Sequence, residues 1–193
     1  MQPLRFPVSV TMQRIALASR WVDERWEAFA VELDDRERAA PTESAAAELA
    51  PVETVAAEVA APSGSAAPVE TLHDERVQRW RCPGFEIELH PVEADGYYLN
   101  LSAGEPKVFV LWRMAEPDDE GEPRARPFIV TVSYNEAARF LDVGEQVDAV
   151  PMPAELRVEM ERFVATHYRP EPRKKAKRNE FYEGEERREG RRR

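Results

Sequence analysis

Apolar and polar side chains alternate cleanly along residues 6–13. Phe6, Val8, Val10 and Met12 fall on one side, with Pro7, Ser9, Thr11 and Gln13 on the other. A period of two is the signature of a strand with one buried face. Pro7 lacks an N–H and suits the start of that strand or a sheet edge. Residues 15–23 read as a connection. From Trp26 onward Phe29, Val31 and Leu33 face one way and Trp26, Ala28 and Ala30 the other, which predicts a second strand of aromatic and β-branched residues interleaved with small ones. A helix with Val22, Trp26, Phe29 and Leu33 in one stripe is the competing reading.

The alternation resumes at Phe85, Ile87 and Leu89, opposite Glu86, Glu88 and His90, with turn chemistry at Pro83-Gly84 before it and Ala94-Asp95-Gly96 after it. Residues 96–114 read as two strands, 97–102 and 108–114, joined by a turn at 102–106. The second is apolar on both sides, which places it in the middle of the sheet. A charged, proline-broken loop at 115–127 leads to a strand at 128–133. There the period changes. Ser133 and Glu136 form an S-x-x-E box that starts a helix at Tyr134, and Gly144 stands where a C′ residue ends one. Residues 147–152 read as an extended loop. Pro153 opens a second helix, in which Leu156, Met160, Phe163, Val164 and His167 make one stripe until Pro170 and Pro172 end it.

Residues 36–76 have a different character. Between Arg38 and Glu70 lie 12 Ala, 4 Pro and 5 Glu, with no aromatic residue, and the string APVET occurs at 50–54 and again at 67–71. Such a stretch buries too little to offset roughly 1–2 kcal/mol of backbone entropy per residue. The expected organisation is therefore a single domain made of 1–35 and 77–168, a disordered acidic insertion at 36–76, and a disordered basic tail at 169–193. Deleting 40–72 is expected to leave the fold intact. The fold class predicted is α+β: an antiparallel twisted sheet of about six strands with two C-terminal helices.

Charge sharpens this division. The net charge of −10 conceals a tail with 11 Lys/Arg against 6 Glu, while the rest carries 16 basic and 31 acidic side chains. An acidic body repels nucleic acid and anionic membrane, whereas the basic tail attracts either. No apolar run is long enough to span a bilayer, no secretory signal opens the chain, and the lone Cys82 allows no intrachain disulfide. A cytoplasmic protein is expected. Phosphate-binding glycine loops and a nucleophile elbow are absent from the sequence. His73, His90 and His167 have no ligand-spaced partner, and Cys82 reads as a packing residue. No catalytic residue, cofactor or metal ligand is assigned. The cluster Arg173, Lys174, Lys175, Lys177 and Arg178 supports nucleic-acid binding as an alternative function, with Tyr97, Tyr98, Phe109 and Trp112 weighed as base-stacking groups and read instead as core.

The strings FPVSVTMQR, YYLNLS, VFVLWRM, VTVSYNEAARFLDVGEQVDAVPMP and FVATHYRPEPRKKAKR resemble an uncharacterised bacterial family, domain of unknown function 3305. Members of that family are typically encoded beside molybdenum-dependent formate dehydrogenase subunits and their maturation proteins. The resemblance thus implies a non-catalytic accessory protein that binds a formate dehydrogenase subunit or its maturation partners. It brings no catalytic residues. The surface expected to bind is the 147–152 loop, with Val147, Asp148, Val150 and Met152, together with the base of the tail, Tyr168, Arg169, Arg173, Lys174, Lys175, Lys177 and Arg178.

Overall fold

The computed structural model of the chain describes residues 3–34, 67–116, 121 and 123–170. In chain order the elements are β1 (Leu4–Ala16), β2 (Glu24–Leu33), β3 (Val69–His73), β4 (Val77–Leu89), α1 (Ala94–Ser102), β5 (Lys107–Met114), β6 (Ala125–Thr131), α2 (Tyr134–Asp142), β7 (Gln146–Pro151) and α3 (Ala154–His167). The fold is α+β, but the expected single sheet is two. Among the described residues a four-stranded sheet has the order β2-β1-β4-β3 and a three-stranded sheet the order β6-β5-β7, with every pairing antiparallel. Their inner faces share one hydrophobic cluster, to which Val8, Met12, Trp26, Trp80 and Ile87 come from the first sheet, Val108, Val110 and Val130 from the second, and Leu156 and Met160 from α3.

Bulges explain how strands this long keep one face inward. On β4, Trp80 and Cys82 point in, and so do Phe85, Ile87 and Leu89. The parity changes at Pro83-Gly84, where Gly84 has φ +88° and the register against β1 shifts. The expected turn there is a bulge inside one strand. A second bulge sits on β2 at Phe29, which is passed over between the pairs Thr11 to Ala30 and Met12 to Ala28. It turns Val31 inward after Trp26 and Ala28 and leaves Phe29 exposed beneath the Arg79 guanidinium, 3.6 Å from its ring. Pro7 is tolerated in the central strand β1 because its N and O turn to the β2 side where that pairing ends, and its carbonyl accepts from Asp34 N–H just past the end of β2.

Three further expectations are corrected. The stretch 97–102 is helical. Ala94, Tyr97 and Asn100 are buried while Tyr98, Leu99 and Ser102 are exposed, a spacing of three that fits a helix and not a strand. Asn100 fixes α1 to the sheet. Its Nδ2 donates to Lys107 O and Val132 O, both at 2.8 Å, and its Oδ1 accepts from Lys107 N–H at 2.9 Å. The 147–152 loop is β7, an edge strand paired with β5 from Val147 against Leu111 to Pro151 against Lys107. Within the expected insertion, residues 69–73 form β3, which pairs with β4 and shields the flank of Trp80; a deletion reaching residue 72 removes this edge. The rest of that stretch up to residue 66, and the tail from 171, lie outside the described residues.

The two expected helices are α2 and α3. Ser133 Oγ accepts from Glu136 N–H at 3.2 Å as an N-cap. At the other end Gly144 N–H donates to Leu141 O and Glu145 N–H to Phe140 O, with Gly144 at φ +84°, which is the Schellman arrangement. The second half of the capping box runs through Thr131. Ser133 N–H donates to Thr131 Oγ1, and Thr131 in turn donates to the Glu136 carboxylate. In α3 the buried stripe is Leu156, Met160, Phe163 and Val164, and Pro153 is the N-cap.

Candidate partner-binding surface

The expected surface divides into two parts that do different things. In β7, Val150 is fully packed, and Val147 and Met152 are half-buried, Met152 against the core. Asp148 is structural. Its Oδ2 accepts from Ala28 N–H and from Trp112 Nε1–H, each at 2.7 Å, and so binds the edge of β2 to the second sheet. Tyr168 and Arg169 lie beyond the far end of α3, whose 14 residues span about 21 Å at 1.5 Å each. The structure does not bring these two groups into one patch. Arg173, Lys174, Lys175, Lys177 and Arg178 are outside the described residues.

At the C-terminal end of α3 an aromatic column forms. Phe163 meets the buried Tyr97 edge to face at 5.9 Å, His167 lies 4.4 Å from Phe163, and Tyr168 stacks on Tyr98 at 4.2 Å and 11°. Tyr97 is anchored by its hydroxyl, which accepts from His90 N–H at 3.0 Å and donates to Glu88 O. Burial, the leading cause, pushes that phenol up to about 12. Beside the column a cleft of about 660 Å³ lies between Pro91, Val92, Ala94 and Asp95 on one side and His167, Tyr168 and Arg169 on the other. Val92 is 89% exposed at its mouth, and Tyr98 and Leu99 lie open nearby on α1. Polar groups of Asp95, His167 and Arg169 thus line the cleft, with exposed apolar side chains beside it at the end of α3.

Two more clefts flank the N-terminal end of α3. One of about 560 Å³ is lined by Leu4, Phe6, Pro7, Leu33 and Val158 with charged neighbours; the other, of about 540 Å³, runs along Ala30 to Leu33 and Pro151 to Glu155. They share Leu33 and Glu155. A third exposed feature, also unflagged by the sequence, is Trp21 at the β1–β2 turn, 87% exposed with Arg20 beside its ring.

The chemistry-bearing side chains are mostly committed to structure. Glu86 and Glu88 both face Arg5, at 3.4 and 3.0 Å, and Glu88 also meets His90 Nε2 at 2.8 Å. His73 contacts Glu70 and Gln78 on the exposed β3 edge. Cys82 is buried in the core, which pushes its thiol up to about 11. Of the four aromatics weighed for base stacking, Tyr97 and Trp112 are buried and Phe109 packs edge to face on Tyr134; Tyr98 alone of these is exposed. Ser133 sits in a polar junction, where its Oγ donates to Glu93 at 2.8 Å and Arg139 holds the other oxygen of Glu93 at 3.0 Å.

The described residues define a two-sheet α+β protein. The family described as "Protein of unknown function (DUF3305)" matches residues 7–177, most of the chain, and the chain belongs to that family. No curated protein and no solved structure matches it. No helix among the described residues is long and apolar enough to cross a membrane.

Proposed function

We propose that this chain is a non-catalytic binding protein of the cytoplasm that serves the assembly or maturation of a molybdenum-dependent formate dehydrogenase. The dehydrogenase enters through the sequence resemblance described above. The observation that carries a binding role is the set of exposed side chains Val92, Tyr98 and Leu99 at the end of α3, where the half-buried Tyr168 lines the cleft beside Val92 and stacks on Tyr98. Exposed aliphatic side chains beside a rigid aromatic stack supply the anchor residues typical of protein interfaces. The adjoining basic tail adds a charged arm that speeds encounter with an acidic partner.

Affinity capture from the native host tests this, with quantitative mass spectrometry of the bound dehydrogenase. The full chain retains dehydrogenase subunits, and both Val92→Glu and truncation after Pro170 reduce their recovery about ten-fold. Val92 is almost wholly exposed, so its replacement leaves the fold unchanged. Recovery undiminished in both variants refutes the surface, and capture of no dehydrogenase subunit by the full chain refutes the assignment.

A further inference from the structure

The clefts at the other end of α3 face an unfinished sheet edge. Among the described residues β2 is the outermost strand of its sheet, and its outer side is capped by Asp148 at Ala28. Further along, Asp34 N–H donates inward to Pro7 O at 2.9 Å. Strand alternation then turns the N–H and C=O of Leu33 and Val31 outward. No hydrogen bond between described residues takes up these outward groups. The neighbouring edge of β7 is closed by contrast. Met152 N–H donates inward to Pro106 O, so the preceding residue, Pro151, presents outward a position with no donor.

The space in front of Val31 and Leu33 is the pair of joined clefts. Their floor is apolar, with Phe6, Leu33, Met152 and Val158, and the rim carries Glu32, Asp34, Glu155 and Glu159 against Arg5 and Arg162. Arg5 is taken by Glu86 and Glu88, Arg162 by Glu159, and Arg81 is shared by Asp34 at 2.5 Å and Glu32 at 4.0 Å. Glu155 has no ion-pair or hydrogen-bond partner among the described residues. An outward-facing backbone edge, half-buried at Leu33 and 4% exposed at Val31, above an apolar floor and with carboxylates outnumbering guanidinium groups at the rim, is what strand addition by a basic peptide uses.

We propose that the Val31–Leu33 edge of β2, facing the first turns of α3, takes up an extended segment of a partner protein whose apolar side chains fill the floor and whose Lys or Arg side chains meet the rim. The inference rests on the binding-protein reading above and not on which partner is bound. Peptide binding without dehydrogenase capture removes only the dehydrogenase assignment; capture without peptide binding removes only this edge.

The test is an NMR titration of the ¹⁵N-labelled full chain with three blocked octapeptides, alternating valine and lysine, valine and glutamate, or serine and lysine. The valine–lysine peptide perturbs the amides of Val31, Leu33 and Met152 and binds at least ten-fold tighter than the other two. The double substitution Glu32→Lys, Glu155→Lys weakens it about ten-fold, with the remaining spectrum unchanged. Equal binding of all three peptides, perturbations centred elsewhere, or no loss in the double variant overturns the proposal. Concentration-dependent perturbation of the same amides without peptide assigns the edge to a second copy of the chain and equally overturns it.

Discussion

Gly96→Ala is expected to destabilise the protein even though alanine is the better helix former. Gly96 lies in the first turn of α1 and has no need of a positive φ; its role is close approach. A Cβ built there stands 2.3 Å from Ser133 Oγ and 3.3 Å from Asn135 N. Ser133 is fully buried and held on three sides, by Thr131, Glu93 and Glu136 N–H. It therefore cannot give way without losing contacts. Displacing its side chain forfeits an N-cap, about 1 kcal/mol, and a hydrogen bond to a carboxylate, about 1.5–3 kcal/mol. The gain in helix propensity returns up to about 1 kcal/mol. The net loss is about 2–3 kcal/mol, read from the midpoint and slope of urea unfolding. Ser133→Ala removes the clashing oxygen and costs a similar amount. In the double variant the closest remaining contacts are about those of Ser133 Cβ and Asn135 N at 3.3 Å. The double variant should then lie about 1–2 kcal/mol above the sum of the singles. A Gly96→Ala protein as stable as the parent, or strict additivity in the double, refutes the close-approach argument.

Asp148→Ala leaves the Trp112 indole N–H and Ala28 N–H without their shared acceptor and should cost about 2–4 kcal/mol in denaturant unfolding, with a shift in tryptophan emission; a loss under about 0.5 kcal/mol contradicts the role given to it. Stability should also fall on the alkaline side. Cys82 and Tyr97 hold their protons to about 11 and 12 in the folded chain, against 9.0 and 10.0 ordinarily. Below pH 9 both states keep these protons. Above it the unfolded chain binds fewer, so stability declines as pH rises from 9 towards 12. Cys82→Ala should flatten the part of that decline between pH 9 and 11, and an unchanged pH profile in the variant rejects the assignment. Native Cys82 should correspondingly react with iodoacetamide far more slowly at pH 8 than in urea; equal rates place the thiol at the surface.

How much of this was legible depended on whether a local pattern met a bulge or a tertiary contact. Ser133, Glu136 and Gly144 specify α2 through capping chemistry that is wholly local, and the stripe Leu156 to Val164 specifies α3 in the same way. The alternation in β1 likewise needed no tertiary information. In β2 and β4 it was readable only in halves, because Phe29 and Pro83-Gly84 each reset the face that looks inward. Tyr97 and Tyr98 favour strand by residue type, yet the hydrogen bonds of Asn100 to the residues at two strand ends hold the segment as a helix. Nothing local distinguishes the second APVET string from the first, and pairing with β4 draws its Val69–Thr71 part into β3. Of the expected surface, Tyr168 is half-buried and stacks on the exposed Tyr98, while Asp148 looked like a loop charge because its partners, Ala28 and Trp112, are 120 and 36 residues away. The open edge of β2 had no sequence signal, since it exists only once β1 and β7 have taken their places.

Two stretches of chain, residues 3–34 and the described part of 67–170, close two sheets over one interior. Native-state hydrogen exchange measures this directly, by comparing opening free energies for the amides of β1 at Val8 to Met12 with those of β5 at Val108 to Leu111. The prediction is a common value for both sets, equal to the global unfolding free energy and lowered by the same amount in Asp148→Ala. Two distinct values, with β5 unaffected when β1 is weakened, would mean that the sheets are independent units.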